Sequence, residues 1–335
     1  MDHSNRIILS KKHNEHLANG IERHNPTNVA PASLLQPFTD QLLQKIEEHH
    51  RIIDAQLRKS IGTPFFSEPG FILYQGDSTG LLKKLAANRV QIDLTLTSPP
   101  YNIGKEYERL MPVQQYVRWC ASWMETIYDI TTPTGAFWLN LGYFEVPGKG
   151  LCVPIPYLLW DKSRFYLLQE VVWKYGAGVA TKRRLSPRNE KWLFFVKNPH
   201  RYTFNLDDIR DPNVKYPNQK KKGKFRCNPL GKNPSDVWEF PKVTTGKNRS
   251  SKERTDHPAQ FPLGVVERII KASSSQTQIV LDPFAGSCSA GIASYGLGRI
   301  FIGFEINQEY CEISVRRFER FKKERKYAQA QRELF

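Results

Sequence analysis

Hydrophobic and polar positions follow a strand-and-helix pattern over most of the chain. From residue 71 onward there are seven short β-rich runs: FILYQ, IDLTLT, GAFWLNL, LLQEVVW, KWLFFVK, QIVLD and RIFIGFE. Several of them are separated by stretches with apolar residues at helical spacing, such as VQQYVRWCASWMETIYDI and PLGVVERIIKA. Strands that alternate with helices predict an α/β fold, with a largely parallel sheet and helices on both of its faces.

The first 70 residues are polar and carry no chemical motif. Within them, FTDQLLQKIEEHHRIIDAQL predicts one amphipathic helix, with Thr39 as its N-cap. Its apolar positions are Leu42, Leu43, Ile46, Ile53 and Leu57. His49 and His50 are predicted to be solvated residues of this helix rather than ligands. We therefore expect residues 1–70 to form a helical, polar N-terminal extension.

Basic charge is concentrated in one segment. The formal net charge is +16, and residues 200–255 hold 14 Lys and Arg against six Asp and Glu, which is half of that excess. The strand–helix alternation breaks down there, and aromatic residues lie among the basic ones: Tyr216, Phe225, Trp238 and Phe240. This mixture suits contact with phosphates and recognition of bases. The alternatives are a solvated loop and, for the whole chain, a basic soluble protein or one that binds acidic lipid.

The composition argues against several classes of protein. No apolar run approaches the roughly 20 residues that cross a bilayer, and the first residues lack the features of a secretory signal. The five cysteines, at positions 120, 152, 227, 288 and 311, include no CxxC pair. Neither a disulfide framework nor a metal site is indicated. We expect a cytoplasmic protein with no membrane partner.

The run IDLTLT ends in an unusual corner, Ser98-Pro99-Pro100-Tyr101. Two prolines stop a strand because they cannot donate to the sheet ladder, and they leave carbonyl oxygens without partners in that strand. Such oxygens can accept hydrogen bonds from an exocyclic amino group, while Ser98 adds a hydroxyl and Tyr101 a flat face for stacking on a base. A hydrolase role for Ser98 fits poorly, because there is no GxSxG motif and histidines are few.

A second corner follows the run QIVLD, where Asp282-Pro283-Phe284-Ala285-Gly286-Ser287 leads into a helix. Small residues let a ligand approach the backbone closely, and a helix N-terminus offers free N–H groups. The turn has neither GK[ST] nor the full GxGxxG spacing. About eighteen residues further on, Glu305 ends the next strand, where a carboxylate can accept both hydroxyls of a ribose. Together these features favour a nucleoside-bearing cofactor.

These motifs, in this order, resemble those of S-adenosylmethionine-dependent DNA amino-methyltransferases, which modify cytosine N4 or adenine N6. The order resembles their beta class, in which the catalytic tetrapeptide precedes the target-recognition region and the cofactor loop comes last. The resemblance runs from about Phe71 to residue 325 and implies a seven-stranded, mostly parallel, Rossmann-like sheet. It divides the chain into a catalytic half (71–199), a target-recognition region (200–255) and a cofactor-binding half (256–335).

The resemblance implies roles for the matched residues. Ser98, Pro99 and Pro100 would bind and polarise the target amine, and Tyr101 would stack on a base flipped out of the duplex. S-adenosyl-L-methionine would be the cofactor, with Glu305 on its ribose hydroxyls. The other cofactor-binding residues would be Asp77 near the adenine, Asp282 near the methionine end, and Thr97, His257, Phe284, Ala285, Gly286 and Ser287. Taken alone, Asp77 indicates only a helix cap. Cys288 departs from the family, which commonly has a third glycine at this position.

Basic residues in two segments are expected to contact double-stranded DNA. RRLSPRNEKWLFFVK resembles the segment near the flipped base, and residues 200–255 would read the target. The DNA-binding candidates are Arg183, Arg184, Arg188, Lys221, Lys222, Lys224, Arg226, Lys247 and Arg249. A cognate restriction endonuclease acting on the same site is a candidate partner, and the protein is expected to be a monomer or a weak dimer.

Ser98 favours cytosine N4 as the target, because adenine enzymes of the family more often carry Asp at this position. The alternatives are adenine N6, then an RNA or a protein-glutamine substrate, and a catalytically silent DNA-binding relative. Methylation of cytosine carbon 5 fits poorly, because it needs a cysteine nucleophile, usually in a Pro-Cys pair, and no such pair occurs.

Overall fold

The computed structural model describes residues 30–105, 108–176, 178, 180–243, 251 and 253–333. The strands in this part of the chain are β1 (Phe66–Glu68), β2 (Phe71–Gln75), β3 (Ile92–Thr97), β4 (Thr131–Leu141), β5 (Tyr143–Val146), β6 (Gly150–Pro154), β7 (Tyr166–Lys174), β8 (Asn189–Val196), β9 (Lys220–Lys221), β10 (Lys224–Phe225), β11 (Val237–Glu239), β12 (Ile279–Asp282) and β13 (Ile300–Glu305). The α-helices are α1 (Asp40–Ser60), α2 (Ser78–Ala87), α3 (Val113–Ile130), α4 (Pro156–Leu159), α5 (Leu263–Ser273), α6 (Ser289–Gly296) and α7 (Gln308–Glu333), and Ala32–Leu35 and Leu206–Ile209 are 3₁₀ helices.

One large sheet has the strand order β1-β2-β13-β12-β3-β4-β8-β7-β11. β8 runs antiparallel to both its neighbours and β1 antiparallel to β2, while the other neighbouring pairs are parallel. All seven runs found in the sequence are confirmed as strands of this sheet. The short strands β1 and β11 extend it by one at each edge, so the sheet has nine strands where seven were predicted.

Helices cover both faces of the sheet, as predicted. Successive strand residues point to opposite faces, so Phe71 packs in one apolar layer with α5, α6 and α7, while Ile72 packs in the other with α2 and α3. On the first face the rings of Phe71 and Phe318 stack with their centroids 4.2 Å apart. The sheet is therefore buried on both sides, and its ligand-accessible edges are the ends of its strands.

The two central strands β3 and β12 come from distant parts of the sequence. They are parallel neighbours, although their last residues, Thr97 and Asp282, are 185 positions apart. Parallel strands place their carboxyl ends at the same edge of a sheet, where ligands of such folds bind. The corner after β3 and the turn after β12 therefore meet.

The predicted N-terminal helix is confirmed as α1, and it packs on the sheet domain. The Thr39 hydroxyl accepts a hydrogen bond from an amide in the first turn at 3.3 Å. Nδ1 of His49 lies 2.9 Å from the Thr277 carbonyl oxygen, and His50 is 9% exposed, with Nε2 3.3 Å from the Ser67 hydroxyl. The prediction that both histidines are solvated is therefore wrong, because they lie on the packed side of the helix.

Residues 200–255 form little regular structure in their described part. β9 and β10 make a small exposed hairpin, whereas β11 joins the edge of the main sheet beside β7. Trp238 of β11 is 5% exposed and stacks on Trp138 with a centroid distance of 5.8 Å. A wholly solvated loop is therefore the wrong description of this segment.

The described residues contain no helix long and apolar enough to cross a membrane. They also contain no group of three or more His, Cys, Asp or Glu residues that could hold a metal ion.

Candidate active site

Thr97 and Asp282 join the two central strands at their carboxyl ends. The Thr97 hydroxyl donates to Oδ1 of Asp282 at 2.6 Å, and the Phe284 amide donates to the same oxygen at 3.1 Å. Burial raises the pKa of Asp282 to about 7, although both hydrogen bonds act in the opposite direction. Among the described side chains, no cation forms an ion pair with this carboxyl group. A positively charged ligand at this edge would meet a carboxyl group for which no described cation competes.

The turn after β12 has no space for a side chain at Gly286. This residue has a φ of +52°, and a Cβ built there would lie 2.7 Å from Nε2 of His257. The His257 ring contacts Tyr310 edge-on at 4.5 Å, and burial, with the charge of Arg317, lowers the pKa of His257 to about 4. The imidazole is therefore neutral at pH 7. Cys288, the N-cap of α6, also has a positive φ of +54°, which is unusual for a residue other than glycine.

Glu305, at the end of β13, holds this turn through its carboxylate. Oε2 accepts the Gly286 amide and Oε1 accepts the Asn307 amide, each at 2.9 Å. The Glu305 carbonyl accepts the Gly76 amide at 2.9 Å, which brings the end of β2 to the same edge. Burial raises the pKa of Glu305, and the backbone hydrogen bonds oppose the rise. Each carboxylate oxygen still has a lone pair for a further donor.

The other predicted cofactor residues lie at this edge with partners of their own. Asp77 is exposed and caps α2, because its Oδ2 accepts an amide of the first turn at 2.7 Å. Ser287 is buried, and its carbonyl accepts from Nη1 of Arg317 at 2.8 Å. Phe284 is half-buried, with two tryptophans of α3 edge-on to its ring at 5.7 and 5.3 Å, and Ala285 is buried.

The corner Ser98-Pro99-Pro100-Tyr101 follows β3 directly. The Ser98 hydroxyl donates to the Tyr101 hydroxyl at 3.0 Å, which in turn donates to Oδ1 of Asn140 at 2.6 Å. The Pro100 carbonyl accepts a 2.8 Å hydrogen bond from the hydroxyl of a tyrosine in α3, so one of its two lone pairs is engaged. The Pro99 carbonyl accepts no hydrogen bond from a described residue. Of the two carbonyl oxygens, that of Pro99 is the freer acceptor.

Sequence reasoning missed three residues near the corner: Asn140 and Glu190, which lie against the Tyr101 hydroxyl, and Lys242, which binds Glu190. Oε2 of Glu190 lies 3.4 Å from this hydroxyl, and Oε1 accepts a 2.6 Å hydrogen bond from Nζ of Lys242. Burial, reinforced by the charge of Glu190, raises the pKa of Tyr101 well above its ordinary value. Glu190 stands in a segment that the family resemblance had indicated. Nothing in the sequence distinguishes Lys242 from the other lysines of its basic segment.

Most of the predicted DNA-binding residues are exposed, in two places. Arg183 and Arg184 lie in the connection between β7 and β8, and the others lie on or beside the β9–β10 hairpin: Lys221, Lys222, Lys224 and Arg226. Arg188 is half-buried, and its Nη1 donates to the Pro187 carbonyl at 3.1 Å. Lys247 and Arg249 lie outside the described residues.

Comparison with known proteins identifies related sequences. Residues 92–316 match the model of the N6_N4_Mtase family, described as DNA methylase. The chain is 56% identical over 265 residues to the Type II methyltransferase M.ScaI of Streptomyces caespitosus, which covers 79% of this chain and 86% of that protein. It is 33% identical over 266 residues to the DNA adenine methyltransferase YhdJ of Escherichia coli (strain K12), covering 77% of this chain and 85% of the relative.

Solved structures share the fold. The PvuII DNA methyltransferase (cytosine-N4-specific) aligns with a TM-score of 0.58 at 20% identity, over 78% of this chain and 94% of that one. The M1.HpyAVI–SAM complex aligns with a TM-score of 0.50 at 23% identity, over 74% of this chain and 98% of that one. These likenesses confirm the predicted Rossmann-like methyltransferase sheet, and the second protein binds the cofactor that we predicted for this chain.

The family match covers two thirds of the chain and includes both the corner after β3 and the turn after β12. The identity to a Type II methyltransferase extends over most of both proteins. This chain therefore belongs to the N6/N4 family of DNA methyltransferases.

Proposed function

We propose that this DNA methyltransferase transfers a methyl group from S-adenosyl-L-methionine to the exocyclic N4 of cytosine in duplex DNA. The hydrogen bond between Thr97 and Asp282 carries the proposal, because it joins the strand that leads into the Ser98 corner to the strand that leads into the Gly286 turn. A methyl donor held at the turn lies next to an amine held at the corner. The cofactor supplies an electrophilic methyl group, and the residues of the chain position it and the amine.

The cofactor pocket suits a cationic nucleoside. Asp282 offers a buried carboxyl group with no cationic partner among the described residues, and Glu305 keeps lone pairs for the ribose hydroxyls. The tight turn at Gly286 brings backbone close to the ligand. The remaining residues of the proposed pocket are Thr97, His257, Phe284, Ala285 and Ser287, with Asp77 near the adenine.

The corner suits an amine of a flipped base. An exocyclic amine is a weak nucleophile, because its lone pair is delocalised into the ring. The two N–H groups of this amine can donate to two of the acceptors at the corner: the Pro99 carbonyl, the second lone pair of the Pro100 carbonyl and the Ser98 hydroxyl. These hydrogen bonds favour a pyramidal nitrogen whose lone pair is aimed at the methyl group. Direct in-line displacement then forms the nitrogen–methyl bond as the sulfur–methyl bond breaks, the nitrogen loses one proton to solvent, and no covalent enzyme intermediate is needed. Tyr101, which is half-buried, offers its ring for stacking on the base, and stacking offsets part of the cost of extrusion.

Ser98 favours cytosine as the target, because adenine enzymes of the family more often carry Asp at this position. The likeness to a solved cytosine-N4-specific enzyme supports the same choice. Adenine N6 is the second candidate, because the chain is also 33% identical to a DNA adenine methyltransferase. The exposed basic hairpin and basic loop favour a nucleic acid over a protein substrate, and the match to a family of DNA methylases favours DNA over RNA.

Nucleoside analysis separates these functions. Duplex DNA is incubated with the protein and isotope-labelled S-adenosylmethionine, digested to nucleosides and analysed by mass spectrometry. We expect label in N4-methylcytosine. Label in N6-methyladenine would select the second candidate, and cofactor binding without label in any base would indicate a catalytically silent relative. Sequencing of the methylated DNA then gives the recognition site, and hence the site that a partner endonuclease would share.

A further inference from the structure

We propose that Lys242 is a positioning residue that couples the target-recognition segment to the catalytic corner through Glu190. The proposal rests on the function proposed for Ser98 and Tyr101, and it concerns how their geometry is set. Lys242 itself touches neither residue. It acts through the carboxylate that lies against the Tyr101 hydroxyl.

The contacts form one continuous chain. Nζ of Lys242 is 2.6 Å from Oε1 of Glu190, and Oε2 of Glu190 is 3.4 Å from the Tyr101 hydroxyl. That hydroxyl accepts from Ser98 and donates to Asn140. A phenol has a single proton to donate, so the charge beside it influences which acceptor it selects and how it presents its lone pairs to Ser98. The Ser98 hydroxyl is thus oriented by a network whose outer end is Lys242.

Lys242 is held as part of the interior rather than as a phosphate ligand. Its side chain is 25% exposed and that of Glu190 is 14% exposed. Its ammonium lies 4.1 Å from the ring centroid of Tyr175. Burial by itself lowers the pKa of Lys242, but the charge of Glu190 and the contacts with Tyr175 together outweigh it, and the pKa lies above its ordinary value. The ammonium therefore carries its charge, and the Glu190 carboxylate is its ion-pair partner in a partly buried site.

Lys242 lies within the predicted target-recognition region, so its ion pair with Glu190 connects that region to the corner. Lys242 follows β11. Phe240, between the two, is held beside β7 because its carbonyl accepts a 2.8 Å hydrogen bond from Nε1 of Trp173. Residues 244–250, which include the DNA-binding candidates Lys247 and Arg249, come directly after it. The segment that we expect to engage DNA thus begins, in the sequence, directly after a lysine that is linked to Tyr101 through Glu190. Correct engagement of the target would be transmitted to the corner over two side chains.

The test compares K242M with the double variant E190Q/K242M. Removal of the lysine leaves a buried carboxylate without its partner, which is strongly unfavourable, whereas removal of both charges does not. We expect K242M to lower the single-turnover methyl-transfer rate at saturating duplex and cofactor by about 30-fold, and the double variant to recover about tenfold of that loss. K242R keeps the charge and should stay within about fivefold of wild type.

Two further measurements test whether Lys242 is simply a phosphate ligand or a support of the cofactor pocket. When a lysine that contacts phosphate is removed, the slope of log Kd against log salt falls by about one. Because Lys242 binds Glu190 and not phosphate, K242M should leave this slope unchanged. The dissociation constant of the K242M variant for S-adenosylmethionine should also be unchanged. K232M is the matched control, because Lys232 forms a 3.0 Å ion pair with Asp211 in the same segment but has a side chain that is 51% exposed. It should transfer methyl groups at close to the wild-type rate.

Three outcomes would overturn the proposal: a wild-type rate in K242M, an equal loss in the double variant, or a reduced salt slope. Each of these requires an active wild-type protein. If the wild-type chain methylates no base, the proposed function fails first, so the two failures are distinguishable.

Discussion

The turn after β12 and the corner after β3 lie side by side, but different kinds of contact position the groups that we propose to be functional. At the turn after β12, Glu305 accepts a backbone amide on each of its carboxylate oxygens, and Gly286 packs directly against His257. At the corner after β3, the backbone is held too, since the Tyr101 amide donates to Oε1 of Glu108 at 2.9 Å, but the Ser98 and Tyr101 hydroxyls are positioned by side chains, some of them from other strands. Contacts through backbone depend on local conformation, while contacts through side chains depend on which distant residues the fold brings together.

This difference predicts two different responses to substitution. Damage to the turn should strongly weaken cofactor binding, because a rigid backbone cannot adjust. Damage to the corner should leave cofactor binding intact and slow the transfer, because the network positions reacting groups without forming the cofactor pocket. The variants that follow are ordered from the largest expected effect to the smallest.

Gly286→Ala should have the largest effect. The added methyl group would lie 2.7 Å from the His257 ring, and the φ of +52° is unfavourable for alanine. Overpacking of about 1–3 kcal/mol and left-handed strain of about 1–2 kcal/mol predict roughly 100-fold weaker cofactor binding by calorimetry. Gly148→Ala is the matched control: its φ is +70°, but nothing lies within 4 Å of the new methyl group. If both variants bind S-adenosylmethionine equally well, the turn is not the rigid element described here.

Tyr101→Ala should separate the corner from the turn. Loss of base stacking, worth about 1–3 kcal/mol, predicts a fall of roughly 30-fold in the single-turnover transfer rate. Affinity for S-adenosylmethionine should stay within about twofold of wild type, since this ring is not part of the proposed pocket. Tyr101→Phe keeps the ring and removes the hydroxyl that links Ser98 to Asn140, so it isolates the contribution of the network. Equal losses of transfer and cofactor binding in Tyr101→Ala would contradict the stacking role.

Asp282 should make cofactor binding depend on pH. With a pKa of about 7, this carboxyl group is mostly ionised at pH 8 and mostly protonated at pH 6. Attraction for a cationic ligand should therefore rise with pH, and the dissociation constant should fall about tenfold between pH 6 and pH 8. Asp282→Asn should remove this dependence. Asp93→Asn is the control, because burial also raises the pKa of Asp93, but this residue lies near the amino end of β3; that variant should keep the wild-type pH profile.

The basic hairpin should give the smallest effect of the four. Lys221→Ala and Lys224→Ala remove exposed charges from β9 and β10. Each should weaken duplex binding by about threefold at 0.15 M salt and reduce the salt slope by about one, with cofactor binding unchanged. Lys59→Ala, an exposed residue of α1, is the control and should leave the slope as it is. Unchanged slopes for both hairpin variants would place the DNA contact elsewhere.

Much of the fold could be predicted from the sequence because its signals are local. Seven apolar runs and the helices between them appear as periodic patterns, and all seven runs are strands of the sheet. The edge strands β1 and β11 were missed because each is only three residues long. His49 and His50 were misassigned because they were judged by residue type, although His50 lies at helical spacing on the same buried face as Ile46, Ile53 and Leu57.

Short motifs in the sequence determined the family, the corner of two prolines, and the turn whose glycine and strand-end acid suit a nucleoside. These are local because backbone conformation over a few residues dictates residue type, as at Gly286. Only the tertiary structure decided that Thr97 reaches Asp282 across 185 positions, that Pro100 already has a donor, and that Lys242 supports Glu190. Side chains from different strands meet according to sheet order and register, and no short segment of the sequence contains that information.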